Sequence, residues 1–115
     1  MESSILTTVK KLIGLAEEDE SFDQDLLVHI NSALLFLNQI GITVKDDFEL
    51  EDSSATWTDL LGSDCDPYAF RAVKTYIVLK VRKVFDPPQN GTVMEALNSE
   101  IFTLEWRLNV QVDPK

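Results

Sequence analysis

Apolar residues recur every three or four positions in several stretches of this chain, which is the spacing that one face of an α-helix produces. The longest regular stripe runs from Leu26 to Ile40 and stops at Gly41, a residue type that commonly ends helices. Stretches of this kind account for most of the chain and predict an all-α bundle. We predict four main helices at about residues 4–13, 22–40, 67–86 and 92–109, and a short helical turn near 57–61.

The stretch from Asp66 to Pro88 is apolar around most of its circumference. Asp66 can accept an N–H bond from the first turn, and Pro67 follows at a position where its missing N–H costs nothing. Pro87 and Pro88 end the helix, because proline cannot continue the hydrogen-bond ladder. A helix that is apolar on most sides needs neighbours on several sides, so we predict that this is the central helix. Its expected core residues are Val73, Tyr76, Ile77, Val81 and Val84.

The last predicted helix carries a narrow apolar seam, the pattern of a helix that packs along another helix. Because only a short proline-rich turn precedes it, the last two helices are predicted to form an antiparallel hairpin. Phe102 and Trp106 lie four positions apart and off this seam. They form either a second core contact or a subunit contact, since aromatic residues are enriched in both settings. The seam consists of Met94, Leu97, Ile101, Leu104 and Leu108.

Several helix ends have recognisable signals. Ser3 or Ser4 can cap the first helix, and Gly14 suits a left-handed position at its C-terminus. The segments Ser21–Gln24 and Thr92–Glu95 match the capping-box pattern, in which the two side chains satisfy each other's backbone N–H groups. We therefore place the starts of the second and last helices at these boxes.

The segment between the second and central helices is the least regular part of the chain. Residues 42–55 mix β-branched and acidic residues without a helical period, so we expect a loop, in which Phe48 begins a short alternating run. Thr56 is a predicted cap for the following turn, which Gly62 ends. Trp57 in that turn is predicted to plug the core, with a partner contact as the second interpretation.

Length and composition indicate a single globular domain. A chain of 115 residues can bury on the order of two-thirds of its unfolded surface, and 44% hydrophobic with 26% charged residues is ordinary for such a domain. The single cysteine, Cys65, excludes an internal disulfide and suits a reducing compartment. We see no signal peptide and no apolar run near the ~20 residues of a membrane span. We expect one intracellular domain, 1–115, with 110–115 as a flexible tail.

The net charge of −10 is unevenly distributed. Residues 1–69 carry fifteen acidic residues and three lysines, whereas residues 70–115 carry five acidic and seven basic residues, so the two parts are about −12 and +2. The acidic part is a poor nucleic-acid binder, because phosphate neutralisation needs clustered Lys and Arg. The asymmetry also offers complementary patches for head-to-tail contact between copies, while each single acidic run is typical of a solvated loop.

No residue pattern favours catalysis. His29 is the only histidine and lies beside the apolar stripe of the second helix, which favours a structural or surface role over a catalytic base. Cys65 lies between two aspartates, whose carboxylates oppose formation of a thiolate. The spacing of a metal site, a calcium loop or a glycine-rich phosphate loop is not found. We predict a protein that is not an enzyme and has no cofactor and no metal.

Three short motifs occur in order within the helical pattern. Together with the leucine-rich second helix and the Trp-containing linker, they give a chain that resembles, over nearly its whole length, the head-tail connector or adaptor proteins of tailed bacteriophages and prophages. None of the motifs is catalytic, so the resemblance depends on their order and spacing. They are Ala72-Val73-Lys74-Thr75-Tyr76, Phe85-Asp86-Pro87-Pro88 and Leu104-Glu105-Trp106-Arg107-Leu108.

The resemblance implies a structural role in virion assembly. Such a protein forms a ring under the portal of a filled capsid, extends the DNA channel and presents a platform for the next neck or tail component. Rings of this kind are often dodecameric, like the portal. The implied partners are the portal protein, a neck or tail completion protein and further copies of the chain. DNA passes through without specific binding, and no membrane is involved. The implied location is the host cytoplasm during assembly and then the virion neck.

Aromatic and basic residues are the best candidates for subunit or partner contacts, because these residue types are enriched at interfaces. We expect Arg71, Arg82 and the last helix to serve assembly, while the apolar residues of the central helix hold the fold. The candidate contact residues are Phe48, Trp57, Arg71, Arg82, Phe102, Trp106 and Arg107.

Two other functions are compatible with parts of the sequence. An acidic inhibitor or DNA mimic that binds a nucleic-acid enzyme would explain the charge of −10, but the acidic residues cluster in predicted loops and not in regular double rows. A helical transcription regulator would need a recognition helix rich in Arg, Asn and Gln, which this sequence does not contain. The acidic inhibitor is therefore the main alternative to the connector.

Overall fold

A computed structural model of the protein describes residues 4–16, 18–43, 48–51, 54–63, 66–85 and 87–112. Within these ranges the chain forms helices and an isolated antiparallel bridge between Ser4 and Thr56, but no strand. The predicted all-α fold is therefore confirmed. The helices are α1 (Ile5–Leu12), α2 (Asp23–Ile40), α3 (Trp57–Leu61), α4 (Pro67–Phe85) and α5 (Gly91–Val112).

Helix α4 is the centre of the bundle, as its apolar circumference predicts. It packs against α2, α5 and α1, whereas α2 and α5 have little direct contact with each other. Val84 is an exception to the predicted core, since 56% of its surface is exposed. In this last turn α4 directs Phe85 inward instead, and the ring of Phe85 meets the ring of Phe22 edge-on, with centroids 5.2 Å apart. The fully buried residues of α4 are Val73, Tyr76, Ile77 and Val81.

Helix α5 runs antiparallel along α4, which confirms the predicted hairpin. Four of the five seam residues, Leu97, Ile101, Leu104 and Leu108, are buried, and Met94 is partly buried against the same core. The helix continues to Val112, beyond the predicted end at 109. Residues 113–115 of the predicted tail lie outside the described residues.

The ends of α1 follow the sequence signals. The Ser4 hydroxyl accepts the Thr7 N–H at 3.0 Å. Gly14 has a φ of +94°, and the N–H groups of Gly14 and Leu15 donate to the carbonyls of Lys11 and Lys10. This pair of bonds is a Schellman motif, in which a residue other than glycine at position 14 would be strained.

Two predicted capping boxes are wrong. Helix α2 begins at Asp23, and Phe22 occupies its cap position without a side-chain bond. Asp23, the first residue of α2, pairs with Lys10 of α1. At α5 the cap is Asn90 and not Thr92, since the Asn90 Oδ1 accepts the Thr92 N–H at 2.8 Å. An asparagine two residues earlier outcompetes the threonine because it reaches the free N–H groups from the tight turn itself.

The ion pair between Lys10 and Asp23 joins α1 to α2. The Lys10 Nζ and the Asp23 Oδ1 are 2.9 Å apart, and the two side chains are 4% and 24% exposed. Removing one partner of a buried pair leaves the other charge uncompensated, whereas replacing both partners with well-packed apolar side chains is often nearly neutral. The pair therefore contributes more to the relative placement of α1 and α2 than to the free energy of unfolding.

Asp23→Asn should lower the free energy of unfolding by about 2–3 kcal/mol, less than a fully buried pair would lose because Asp23 keeps some solvent contact. Lys10→Met keeps the apolar stem of the side chain and should cost less than Asp23→Asn, because the Asp23 carboxylate that it leaves unpaired is 24% exposed and can be hydrated. Urea unfolding followed by circular dichroism measures both values. Equal losses in the two variants would show that the buried ammonium is not what makes the first substitution costly.

The hydroxyl of Tyr76 joins α4 to α5 at the centre of the hairpin. It donates to the Glu105 Oε2 at 2.8 Å, and its ring lies 5.5 Å from that of Phe36. Burial, then the hydrogen bond to the Glu105 carboxylate, raises the pKa of Tyr76 far above its ordinary value of 10.0. The folded protein thus keeps this phenol protonated at pH values where an unfolded chain would ionise it.

Because the pKa of Tyr76 is higher in the folded state, its contribution to stability is complete below about pH 10 and falls as the pH rises further. The loss should approach ~1.4 kcal/mol for each pH unit above 10. Tyr76→Phe should remove this part of the alkaline slope and cost about 1–3 kcal/mol at pH 7, since Glu105 loses its donor. Urea unfolding between pH 7 and 11 measures both effects. A wild-type slope that Tyr76→Phe leaves unchanged would contradict this account.

Candidate assembly surfaces

Phe102 and Trp106 form an exposed aromatic surface on α5. They are 70% and 62% exposed and lie one helical turn apart, on the side of the helix away from the buried seam. Of the two interpretations that the sequence left open, a core contact is therefore excluded within this chain. We call this pair the α5 aromatic face.

The basic candidate residues are exposed, but they do not form one cluster. Arg107 is exposed on α5, and its guanidinium donates to the Tyr68 hydroxyl of α4 at 3.4 Å. Arg71 is also exposed and lies about one turn along α4 from Tyr68, so it belongs to the same end of the hairpin. Arg82 is exposed eleven residues further on, about 16 Å away along the helix axis. Arg71 and Arg107 can thus act on one partner surface, whereas Arg82 lies near the other end of α4.

Trp57 lies in the core. It is 3% exposed, its Nε1 donates to the Thr8 Oγ1 at 3.1 Å, and its ring meets the ring of Phe70 edge-on with centroids 5.7 Å apart. Thr56 caps the short helix α3 through the predicted side-chain bond to the Asp59 N–H. The tryptophan therefore plugs the gap between α1 and α4, and its side chain is not accessible to a partner in this conformation.

Two asparagines of α2 hold the segment around Phe48 in place. Asn31 donates to the Leu50 carbonyl at 2.9 Å and accepts the Leu50 N–H at 2.7 Å. Asn38 makes the same pair of bonds with Phe48, since it donates to the Phe48 carbonyl at 2.9 Å and accepts the Phe48 N–H at 3.2 Å. The Asn38 Oδ1 also accepts the Thr43 hydroxyl at 2.8 Å. Each side-chain amide thus bonds the backbone N–H and C=O of one residue, as a neighbouring β-strand would. We call this arrangement the asparagine clamp.

The asparagine clamp places the 48–50 segment alongside α2 and so forms a groove of about 870 Å³. Val28 and Leu35 supply its apolar surface and are 64% and 70% exposed. Phe48, a predicted contact residue, forms a wall of the groove and also packs partly on the core. The full lining consists of Val28, Asn31, Ser32, Leu35, Asn38, Gln39, Phe48 and Glu49. We call this surface the α2 groove.

Sequence reasoning missed the α2 groove. Asn31 and Asn38 are seven positions apart, two helical turns, and this spacing was the available signal, since both side chains then lie on the same face. Val28 and Leu35 have the same spacing. The partner of these asparagines is distant in the sequence and has no regular period, so the pattern alone could not identify it.

The described residues contain no cluster of three or more His, Cys, Asp or Glu side chains that could hold a metal ion. In the same part of the chain no helix is long and apolar enough to cross a membrane. His29 is half-buried on α2, and Cys65 lies outside the described residues.

An exposed aromatic helix face and an apolar groove on a small helical bundle are typical of proteins that act through contacts with other macromolecules. The chain belongs to the phage connector protein family, whose family model matches residues 5–115. Membership assigns it a connector-type structural role in the phage, with a place in the neck of the virion and contact with portal or neck proteins. No curated protein and no solved structure shows significant similarity to the chain.

The asparagine clamp predicts residue-specific effects on the 48–50 segment. Asn31→Ala should expose the Leu50 amide to hydrogen exchange, and Asn38→Ala should expose the Phe48 amide. Each variant should lose about 1–3 kcal/mol of stability, because it leaves backbone groups without their bonds. Amide exchange by NMR and urea unfolding measure these effects, and Gln39→Ala, an exposed neighbour, is the control. Unchanged protection of both amides would show that the clamp does not order the segment.

Proposed function

We propose that this chain forms a ring under the portal, extends the DNA channel of the capsid and docks the next neck or tail component. The α5 aromatic face is the observation that carries this proposal. Large exposed aromatic side chains cost solubility in a protein that acts alone, and aromatic residues dominate the energetic centres of protein interfaces. Family membership supplies the biological setting for that contact.

The ring is proposed to contain twelve copies, to match the portal, with an assembled location in the virion neck after synthesis in the host cytoplasm. Its subunits would join through a heterologous contact, since a ring needs two different, complementary patches on each copy. The charge difference between residues 1–69 and 70–115 supports such patches.

DNA is proposed to pass through the ring without specific binding. The chain carries −10 overall, and basic residues that could neutralise phosphates are sparse in its first part. An acidic surface near the channel would repel the DNA backbone, so that the duplex slides and does not adhere.

Three of the described acidic residues weigh against the alternative of an acidic inhibitor, because they serve the fold. Asp23 pairs with Lys10, Asp59 belongs to the cap of α3, and Glu105 accepts the hydroxyl of Tyr76. Acidic side chains that serve the fold in this way are not available as a copy of a DNA backbone. We therefore carry the connector forward as the single proposed function.

Analytical ultracentrifugation of the purified chain, with and without purified portal, tests the proposal. Wild-type protein should form a ring alone at high concentration or on the portal. Trp106→Ala should weaken that assembly at least about tenfold, because a buried interfacial tryptophan is typical of a hot spot. Its stability as a monomer should change by less than about 1 kcal/mol, since the side chain is 62% exposed.

Leu12→Ala is the matched control, because Leu12 is a large exposed side chain on a different helix, and it should assemble like wild type. Failure of the wild-type chain to assemble in either condition would overturn the proposed function. Unfolding of Trp106→Ala, with normal portal docking by the molecules that stay folded, would show that this residue serves the fold.

A further inference from the structure

Helix α4 carries cations that no acidic residue of the same helix balances. Residues 67–85 contain five basic residues and no acidic one, while the rest of the chain holds the other five basic residues and all twenty acidic ones. Arg71 and Arg82 lie eleven positions apart, about three helical turns, so they project from the same side of α4. Lys74 lies one turn from Arg71. We call Arg71, Lys74 and Arg82 the α4 basic stripe.

The α4 basic stripe has no acidic partner within the part of the chain that the structure describes. Arg71 and Arg82 are exposed, and Lys74 is half-buried with its Nζ 5.1 Å from the centre of the Phe70 ring. None of the three makes an ion pair with a described residue. Like charges one turn apart on a helix repel each other, so this arrangement does not serve the fold. It suits an acidic surface outside the chain.

An exposed acidic segment lies beside α2. Residues 46–52 contain five acidic residues in seven positions and no basic one. The asparagine clamp bonds the backbone of Phe48 and Leu50, whose side chains pack inward, whereas Glu49 and Glu51 are exposed. Neither glutamate makes an ion pair with a described residue. We call Glu49 and Glu51 the acidic row.

We propose that the α4 basic stripe of one copy pairs with the acidic row of a second copy. This inference rests on the proposed ring and names the two patches of its subunit contact. Because the two patches differ, one contact leaves a stripe open on one copy and a row open on the other. Further copies can then add head to tail, and such a series closes into a ring when the rotation between copies allows it.

The spacings of the two patches match. Residues three apart on a helix, such as Arg71 and Lys74, have Cβ atoms about 5–6 Å apart. Alternate residues of an extended segment, such as Glu49 and Glu51, lie roughly 7 Å apart. The long basic side chains span this small difference, and a guanidinium can bond a carboxylate through two N–H groups. Both glutamates can therefore be paired at the same time.

The other acidic run of the chain, residues 17–20, is a weaker candidate for this contact. Lys10 and Lys11 lie on the adjoining helix α1. The hydrogen bonds from Ser21 and, to a smaller degree, the charge of Lys10 lower the pKa of Asp19. Part of the charge of this run is thus compensated within the chain, whereas the acidic row has no such cation beside it.

Duplex DNA is a poorer partner for the α4 basic stripe than an acidic protein segment. A protein that binds DNA through its backbone commonly makes about 6–10 phosphate contacts, more than three cations can supply. The neighbouring helix α5 also exposes Glu95 and Glu100, and the chain carries −10 overall, so the phosphate backbone would be repelled. A short acidic segment needs only the few cations that α4 presents.

Charge pairs of this kind select a partner and its orientation more than they add affinity. The affinity of the subunit contact would come from apolar surface, for which the α5 aromatic face is the exposed candidate. The guanidinium of Arg107 on α5 donates to the Tyr68 hydroxyl, about one turn from Arg71. One end of the stripe thus lies close to α5.

Charge reversal tests the pairing. Arg71→Glu with Lys74→Glu reverses the stripe, and Glu49→Lys with Glu51→Lys reverses the row. Each double variant should assemble at least about tenfold more weakly than wild type, because like charges then face each other. A chain with all four substitutions should assemble within about threefold of wild type, since its two patches are complementary again.

Sedimentation velocity over a range of concentrations, with and without purified portal, measures assembly. The matched control combines the reversed stripe with Glu95→Lys and Glu100→Lys, at two exposed positions of α5. It has the same net charge as the chain with four substitutions but keeps an acidic row, so it should stay defective. Circular dichroism checks the fold of every variant, and Arg82→Glu replaces Lys74→Glu if the latter unfolds the chain.

Three results would overturn this inference and leave the proposed function intact, provided that wild type assembles. One is a chain with four substitutions that stays as defective as the double variants. Another is recovery of the control as well, since net charge alone would then explain the rescue. The third is binding of a labelled DNA duplex of ~20 base pairs that the reversed stripe abolishes, with no rescue of assembly by the reversed row. A wild-type chain that never assembles would overturn the proposed function and this inference with it.

Discussion

The burial of α4 is the constraint on which the rest of the structure depends. Val73, Tyr76, Ile77 and Val81 have no exposed surface, and at about 1.5–3 kcal/mol for each buried side chain their contribution is comparable to the whole stability of a small domain. Covering them requires α1, α2 and α5 on different sides of one helix. A hydrogen bond between helices contributes less to stability than this burial does, but it requires a specific geometry. The bond from the Tyr76 hydroxyl to Glu105 therefore favours one register of the hairpin.

This architecture determines what the outer helices present to solvent. Helices α2 and α5 each use one face to cover the core, so side chains on their opposite faces are free of any folding requirement. Apolar residues at such positions add nothing to the core, yet α2 carries Val28 and Leu35 there and α5 carries Phe102 and Trp106. Exposed apolar surface of this kind marks interaction sites on soluble proteins. Exposed surfaces of this kind are compatible with the connector-type structural role of the family.

Periodicity predicted the helices, the hairpin and its seam because those features depend on local spacing alone. The predictions that failed have a common physical cause. In each case a group that the local pattern does not reveal takes the predicted position or bond. Val84 fits the apolar period, but Phe85 takes the inward position beside Phe22. The start of α5 matches the capping-box pattern at Thr92, but the Asn90 side chain accepts the free N–H groups of Thr92 and Val93. The asparagine clamp links residues 31 and 50, a separation that no local pattern reports. Of the contact candidates, Phe102 and Trp106 lie off the seam and are exposed, whereas Trp57 is buried against Thr8 and Phe70.

The modest size of the α5 aromatic face has a consequence for when the proposed ring would form. An aromatic pair that buries on the order of 250 Å² is too small to hold two free copies together strongly by itself. A portal that binds each copy converts the next subunit contact into an intramolecular event, for which the effective concentration can reach the millimolar range. In the proposed ring, weak contacts would then add up around the closed series without joining copies strongly in free solution. Exposed apolar surfaces lower the solubility of an isolated monomer. The net charge of −10 opposes this effect, because copies that carry the same charge repel each other in free solution.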